Sequence, residues 1–272
     1  MGLRINQNIA AMNAYRNLSV TDGQMSKSLE KLSSGFRINR AADDAAGLAI
    51  SEGLRAQTGG LKVAVRNAQD GVSVVQTAEG ALTETHSILQ RMRDLAVQAS
   101  NEGSQGTDAQ AAANTEYQAL ALELDDIANK TTFNGTALLD GSYDKAFQVG
   151  ANSGEQLQVT IGDMKAATIL TSVGGLTTTA AAQTALDNID AAIETVSTER
   201  AGLGAVQNRL EHKINNLNVA VENLSASESR IRDTDMASEM VAFTRSQILS
   251  QAGTAMLAQA NQAPQGVLRL LQ

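Results

Sequence analysis

Two histidines, two pairs of adjacent carboxylates and one broken glycine motif are the residues of this chain best suited to chemistry. His86 and His212 lie far apart and lack ligand-spaced neighbours. Metal sites need several donors clustered together, so both read as surface or interface histidines. Asp43-Asp44 and Asp125-Asp126 would act as acid and base only in a cleft that raises one pKa. Helix starts and solvated helix faces account for them at less cost. Gly202-Leu203-Gly204 lacks a third glycine and follows a helical stretch rather than a strand, which excludes a phosphate loop. No catalytic, cofactor-binding or metal-ligating residue is expected, and no enzyme.

Cysteine is absent, which removes disulfides, zinc–thiolate sites and thiol nucleophiles. Its absence suits the cytosol, and equally an exported protein that must pass a secretion channel unlinked. The net charge of −8 disfavours a nucleic-acid partner and favours mutual repulsion of free subunits. No apolar run reaches the ~18 residues of a membrane-spanning helix, and residues 1–8 carry no signal-peptide core. Aromatic residues make up 3% and tryptophan is missing, so little fills a wide globular core. The 43% hydrophobic content, mostly Ala, Leu, Ile, Val and Met, suits slim helical packing.

The elements that place these residues are long helices. Leu18, Met25, Leu29 and Leu32 form an apolar stripe near the start of the chain. Leu210, Ile214, Leu217, Val221 and Leu224 step by four, three, four and three near its end, the spacing of a coiled-coil seam. A first helix is expected over 3–33, stopped by Gly35. A second, long helix starts beside Asp43 and Asp44 and carries Leu61, Val65, Ala68, Val72, Val75, Leu82, Ile88, Met92 and Leu95. A turn at 100–107 leads to a third helix over 108–129.

Helical spacing fails after Asn134-Gly135. Phe147 and Val149, then Leu157 to Ile161, alternate with polar residues and predict a β-hairpin in an insert at about 140–175. A third short strand is expected near 168–173. Helical spacing returns from Thr179 to Ser229, breaks at Asp233 and Asp235, and resumes over 236–262, with Pro264 ending or bending the last helix. The chain is therefore mainly α: a long antiparallel helical bundle or coiled coil from both termini, with a small central β-hairpin region. Residues 1–40 and 236–272 hold the terminal helices and 41–235 the helical segments with the insert; the family likeness described next implies that the first set is inner, as filament core, and the second an outer domain. Isolated terminal stripes bury too little to order themselves, so they are expected to order when copies of the chain pack together.

Several stretches carry a family likeness. They are Ile5 to Asn8, Leu32 to Asn39, Ala41 to Ile50, Gln90 to Gln98, Phe133-Asn134-Gly135, Gln148 to Asn152, Ser246 to Leu249 and Leu257 to Gln262. Together they resemble bacterial flagellin over essentially the whole chain. The resemblance implies a structural subunit, secreted and extracellular, that polymerises through its terminal helices into the flagellar filament for swimming motility. A hook–filament junction protein is the alternative. The large variable outer domains of many flagellins look absent.

The resemblance implies a helical homopolymer, with the flagellar export apparatus, an export chaperone, the filament cap and hook-junction proteins as further partners. Leu18, Met25, Leu29, Leu32, Met236, Met240, Phe243, Ile248, Met256 and Leu257 are the expected subunit-interface residues. The methionines would pack there more readily than in a peptide groove, because Met adapts to varied neighbours. Residues 90–98 have two readings. One is a helix stripe with Met92, Leu95 and Ala99 inward and Arg91 and Asp94 outward. In the other, implied by the resemblance, Arg91, Leu95 and Glu116 contact an innate-immune receptor of animal hosts.

Overall fold

A computed structural model of the chain describes residues 7–101, 106–170 and 174–270, with side chains described to Gln262. The element order is α1 (Ile9–Ser34), α2 (Ala45–Ala99), α3 (Thr107–Lys130), β1 (Thr132–Phe133), β2 (Thr136–Ala137), β3 (Asp144–Gln148), β4 (Gln156–Thr160), α4 (Ala166–Ile169), α5 (Thr179–Arg232) and α6 (Met236–Leu270). They fall into two compact units. One joins the described residues up to Ala56 with those from Asn223 onward; the other is Gln57–Glu222.

In the terminal unit α1 runs antiparallel to α6. Ser250 Oγ donates to Asp22 Oδ1 at 2.9 Å, and Lys31 Nζ lies 3.8 Å from Glu239 Oε2. Each step forward along α1 is thus matched by a step back along α6. The half-buried or buried positions of α1 include Ala11, Ala14, Leu18, Thr21, Met25, Ser28 and Leu32, recurring at three and four residues. On α6 they include Phe243, Ser246, Ser250, Gly253, Leu257 and Ala260. This is a coiled-coil repeat built largely from small side chains, which lets the two backbones come close. Leu18 rests against Gly253, where an added Cβ would come within 3.3 Å of Leu18 Cδ1.

The connections beside this pair are held to each other. Gly35 ends α1 in the left-handed region, its N–H returning to Lys31 O at 2.8 Å. Arg37 N donates to Arg232 O and Thr234 N to Gly35 O, around an antiparallel bridge between Phe36 and Asp233. The Arg232 guanidinium sits 4.8 Å from the Phe36 ring centroid and 2.7 Å from Glu52 Oε1. These contacts tie the first turns of α2 and the last of α5 to the terminal pair. The unit therefore extends to Ala56 and begins again at Asn223, beyond the expected limits at 40 and 236.

In the unit from Gln57 to Glu222, the buried face of α2 passes through Leu61, Ala64, Ala68, Gly71, Val75, Ala78, Leu82, Thr85, Leu89, Met92, Ala96 and Ala99. On α5 it passes through Ala182, Ala185, Ile189, Ala192, Val196, Leu203, Leu210 and Leu217. Both hold a seven-residue repeat. On α3, Ala113, Tyr117, Ala121, Leu124 and Ala128 complete the core.

β3 and β4 pair antiparallel with Phe147 opposite Leu157. Leu157 and Val159 point inward, joining Val149, Ala68 and Leu210 or the main core. A second, tiny hairpin pairs β1 with β2 through Asn134 (φ 48°) and Gly135 (φ 77°). Two successive positive φ values are what the Asn-Gly pair of a two-residue hairpin turn supplies.

Four expectations are corrected. Of the helix expected over 3–33, residues 7 and 8 are not helical and α1 begins at Ile9, capped by Asn8; residues 3–6 lie outside the described residues. The strand expected near 168–173 is replaced, as far as it is described, by the single helical turn of α4. That turn forms because Asp125 Oδ1 accepts from Ala166 N at 2.8 Å while Ala166 and Ile169 are buried; residues 171–173 lie outside the described residues. Of the two outcomes expected at Pro264, ending the helix is the one corrected: α6 continues to Leu270. The stripe containing Leu29 was too broad: Leu18, Met25 and Leu32 are half-buried, while Leu29 is 56% exposed.

Leu82, fully buried in the three-helix core, should be sensitive to truncation. Leu82→Ala is expected to lower stability by about 3 kcal/mol, read as a shifted urea midpoint of the full chain at unchanged slope.

Candidate assembly surface

The residues singled out for chemistry have structural occupations. Asp44 Oδ1 accepts from Gly47 N at 2.8 Å at the start of α2. Asp43 Oδ2 accepts from Asn39 N and Arg40 N at 3.2 and 3.0 Å, and these main-chain bonds hold its carboxyl below the usual carboxylate range. Asp235 Oδ1 accepts from Ala237 N and Ser238 N, opening α6. Asp125 starts α4, whereas Asp126 pairs with Lys130 one turn on. Gly202-Leu203-Gly204 lies inside α5 with Leu203 buried. His86 Nε2 is 2.9 Å from Gln90 Nε2. Among the described residues no cluster of three or more His, Asp or Glu could hold a metal ion.

What remains is surface. The ten expected interface residues divide into two sets. Leu18, Met25, Leu32, Phe243 and Leu257 are half-buried along the α1–α6 pair. Leu29, Met236, Met240, Ile248 and Met256 are 48–67% exposed. Ile9, Met12, Tyr15, Val20, Val241 and Leu249, unmarked in the sequence, are exposed as well. A groove of about 520 Å³ runs along α6, lined by Met240, Val241, Thr244, Arg245, Ile248 and Leu249. Another, about 630 Å³, is lined by Met12, Tyr15, Arg16 and Val20 of α1 with Leu257 and Asn261 of α6. Such apolar density on one helix pair exceeds the scatter of single exposed residues normal on a soluble surface. The exposed members fall between the small seam residues, so hydrophobicity alone does not separate them.

On the other unit, Arg91 and Glu116 are brought together. Arg91 Nε and Nη2 each reach Glu116 Oε1 at 2.8 Å, with both side chains about half exposed. Leu95 is 2% exposed and belongs to the core. Its assignment as a surface contact is corrected by that burial, and its inward reading in the helix stripe holds.

The sequence model of the bacterial flagellin N-terminal helical region matches residues 5–144, and that of the C-terminal helical region matches 186–271. The chain belongs to the bacterial flagellin family. A flagellin of Halalkalibacterium halodurans is 57% identical, over 98% of this chain and 99% of its own length. A flagellin of Bacillus subtilis is 52% identical, over 99% and 100%. The crystal structure of Bacillus cereus flagellin is 36% identical, covers 56% of this chain and 88% of that one, and superposes with a TM-score of 0.52. This flagellin is a structural subunit of the bacterial flagellar filament and not an enzyme. Full-length likeness to flagellins leaves the junction-protein alternative unfavoured. No helix among the described residues is long and apolar enough to cross a membrane.

The depressed Asp43 carboxyl gives a pH signature. Its bonds to Asn39 and Arg40 persist above the ordinary carboxylate value and are lost as pH falls through the lowered one. Amide exchange at Asn39 and Arg40 is expected to accelerate in acid beyond the intrinsic trend, and Asp43→Asn should abolish that extra dependence.

Proposed function

We propose that this flagellin polymerises by burying the outward faces of α1 and α6 against other copies of itself. The observation that carries this reading is the groove on α6, where Met240, Val241, Ile248 and Leu249 stand together in water. Burying each such side chain is worth roughly 1.5–3 kcal/mol, so a few per contact, repeated along a helical polymer, outweigh the repulsion of chains of charge −8. The half-buried set, Leu18, Met25, Leu32, Phe243 and Leu257, acts indirectly by holding the two helices together.

The further partners follow from the same exposure. Before assembly the apolar face of α6 needs a cover, the role of an export chaperone. The flagellar export apparatus takes the chain unfolded, which a chain without cysteine permits. Hook-junction proteins and the filament cap bound the growing polymer. The Arg91–Glu116 pair, about half exposed, is available to an innate-immune receptor, Arg being a favoured interface anchor.

Met240→Ala is expected to lower the temperature at which filaments dissociate while the melting of residues 57–222 stays unchanged. Turbidity and circular dichroism read the two separately, and filaments of unchanged heat resistance would count against the assignment. For the receptor contact, Arg91→Asp should abolish signalling in a receptor reporter assay at equal protein concentration. Signalling at the parent level would remove Arg91 from the contact.

A further inference from the structure

Asn8 precedes the first helix and uses both ends of its side-chain amide. Its Oδ1 accepts from Ala11 N at 3.1 Å, capping α1. Its Nδ2 donates to the carbonyl of Ala260 on α6 at 2.7 Å, across a sequence separation of 252 residues. In an α-helix the carbonyl of residue 260 is served by the N–H of residue 264. Residue 264 is Pro264, which has no N–H, and α6 continues through it. The carbonyl that Asn8 reaches is therefore the one that the proline deprives of its helical donor.

From this coincidence we infer that Asn8 is a positioning residue for the terminal helix pair and that Pro264 creates its docking point. Along α6, main-chain carbonyls in the helix interior already have an N–H partner, so a side-chain donor gains little from any of them. The proline singles out one carbonyl, and only one register of α1 against α6 delivers a donor to it. The amide orientation is fixed as well. Reversed, it would set an NH₂ against the Ala11 N–H and an oxygen against the Ala260 carbonyl. Asp or Ser would cap α1 equally well but lack the amide donor. The Leu18–Gly253 and Asp22–Ser250 contacts lie in the same register. The seam between them is rich in Ala, Ser, Thr and Gly, and a seam of small residues discriminates weakly between shifted alignments. A polar pin set into such a seam specifies alignment, as single buried polar residues do in coiled coils. The inference concerns pairing within one chain and rests on the proposed assembly, in which the terminal helices are ordered.

The test exploits the absence of cysteine. Asp22→Cys with Ser250→Cys places one thiol on each helix at a point of direct side-chain contact. Under mild oxidation of assembled filaments each chain should close this disulfide within itself, migrating faster on a non-reducing denaturing gel. Asn8→Ser, which keeps the cap and loses the donor, is expected to slow closure about fivefold. Pro264→Ala restores a helical N–H to the Ala260 carbonyl, so in that background Asn8→Ser should slow closure by less than about twofold. Equal slowing in both backgrounds would reduce Asn8 to a helix cap and overturn the inference. So would unchanged closure in the Asn8→Ser chain, or a reporter pair that fails to close in the parent.

Discussion

The pairing of the first helix with the last is the constraint on which the rest depends. Helices α1 and α6 meet through a seam of Ala, Ser, Thr and Gly with a few larger residues between. Small seam residues bring the backbones close but bury little apolar area, so the pair gains modestly from its own contact. The larger apolar residues, Met12, Tyr15, Met240, Ile248 and Met256, stay half or more exposed beside that seam. Within one molecule the pair is under-buried; between molecules it has a surplus. Polymerisation follows from that imbalance without any site in the catalytic sense.

The unit from Gln57 to Glu222 solves the opposite problem. There the same seven-residue spacing carries Leu82, Leu89, Met92, Ile189 and Val196, fully buried against one another with α3 and the β3–β4 hairpin as cover. One periodicity thus serves two ends. Filled with large residues it closes a core, and filled with small ones it holds two helices in line while leaving their other faces free. Capping carboxylates mark the joints: Asp44, Asp235 and Asp125 each accept from the main chain at a helix start, which is why acidic pairs in this chain do no chemistry.

Much of this was legible in the residues. The helix breaks at Gly35, Asp43-Asp44 and Asp233–Asp235 were visible because the terminating residues have intrinsic conformational and capping preferences. The hairpin around Leu157 to Ile161 was visible in clean alternation. Three things were not. The buried stripe of α2 runs through Ala64, Gly71, Ala78 and Thr85, which hydrophobicity does not mark, so Val65 and Val72 drew attention instead while lying half-buried. Which apolar face of α1 meets α6 was equally hidden, because Leu29 and Leu32 are alike in type and differ only in what lies opposite. Continuation of α6 past Pro264 could not be read locally, since the compensating donor stands at the far end of the chain.

The terminal unit is assembled from the two ends of the polypeptide, and translation makes those ends at very different moments. α1 leaves the ribosome before anything it could pair with has been made, and α6 follows every other element. Until the ribosome has passed α6 the unit lacks half of its parts, however long α1 has been waiting. The order of the chain therefore acts as a clock: the middle can close only once α5 is made, and the sticky helix pair comes last.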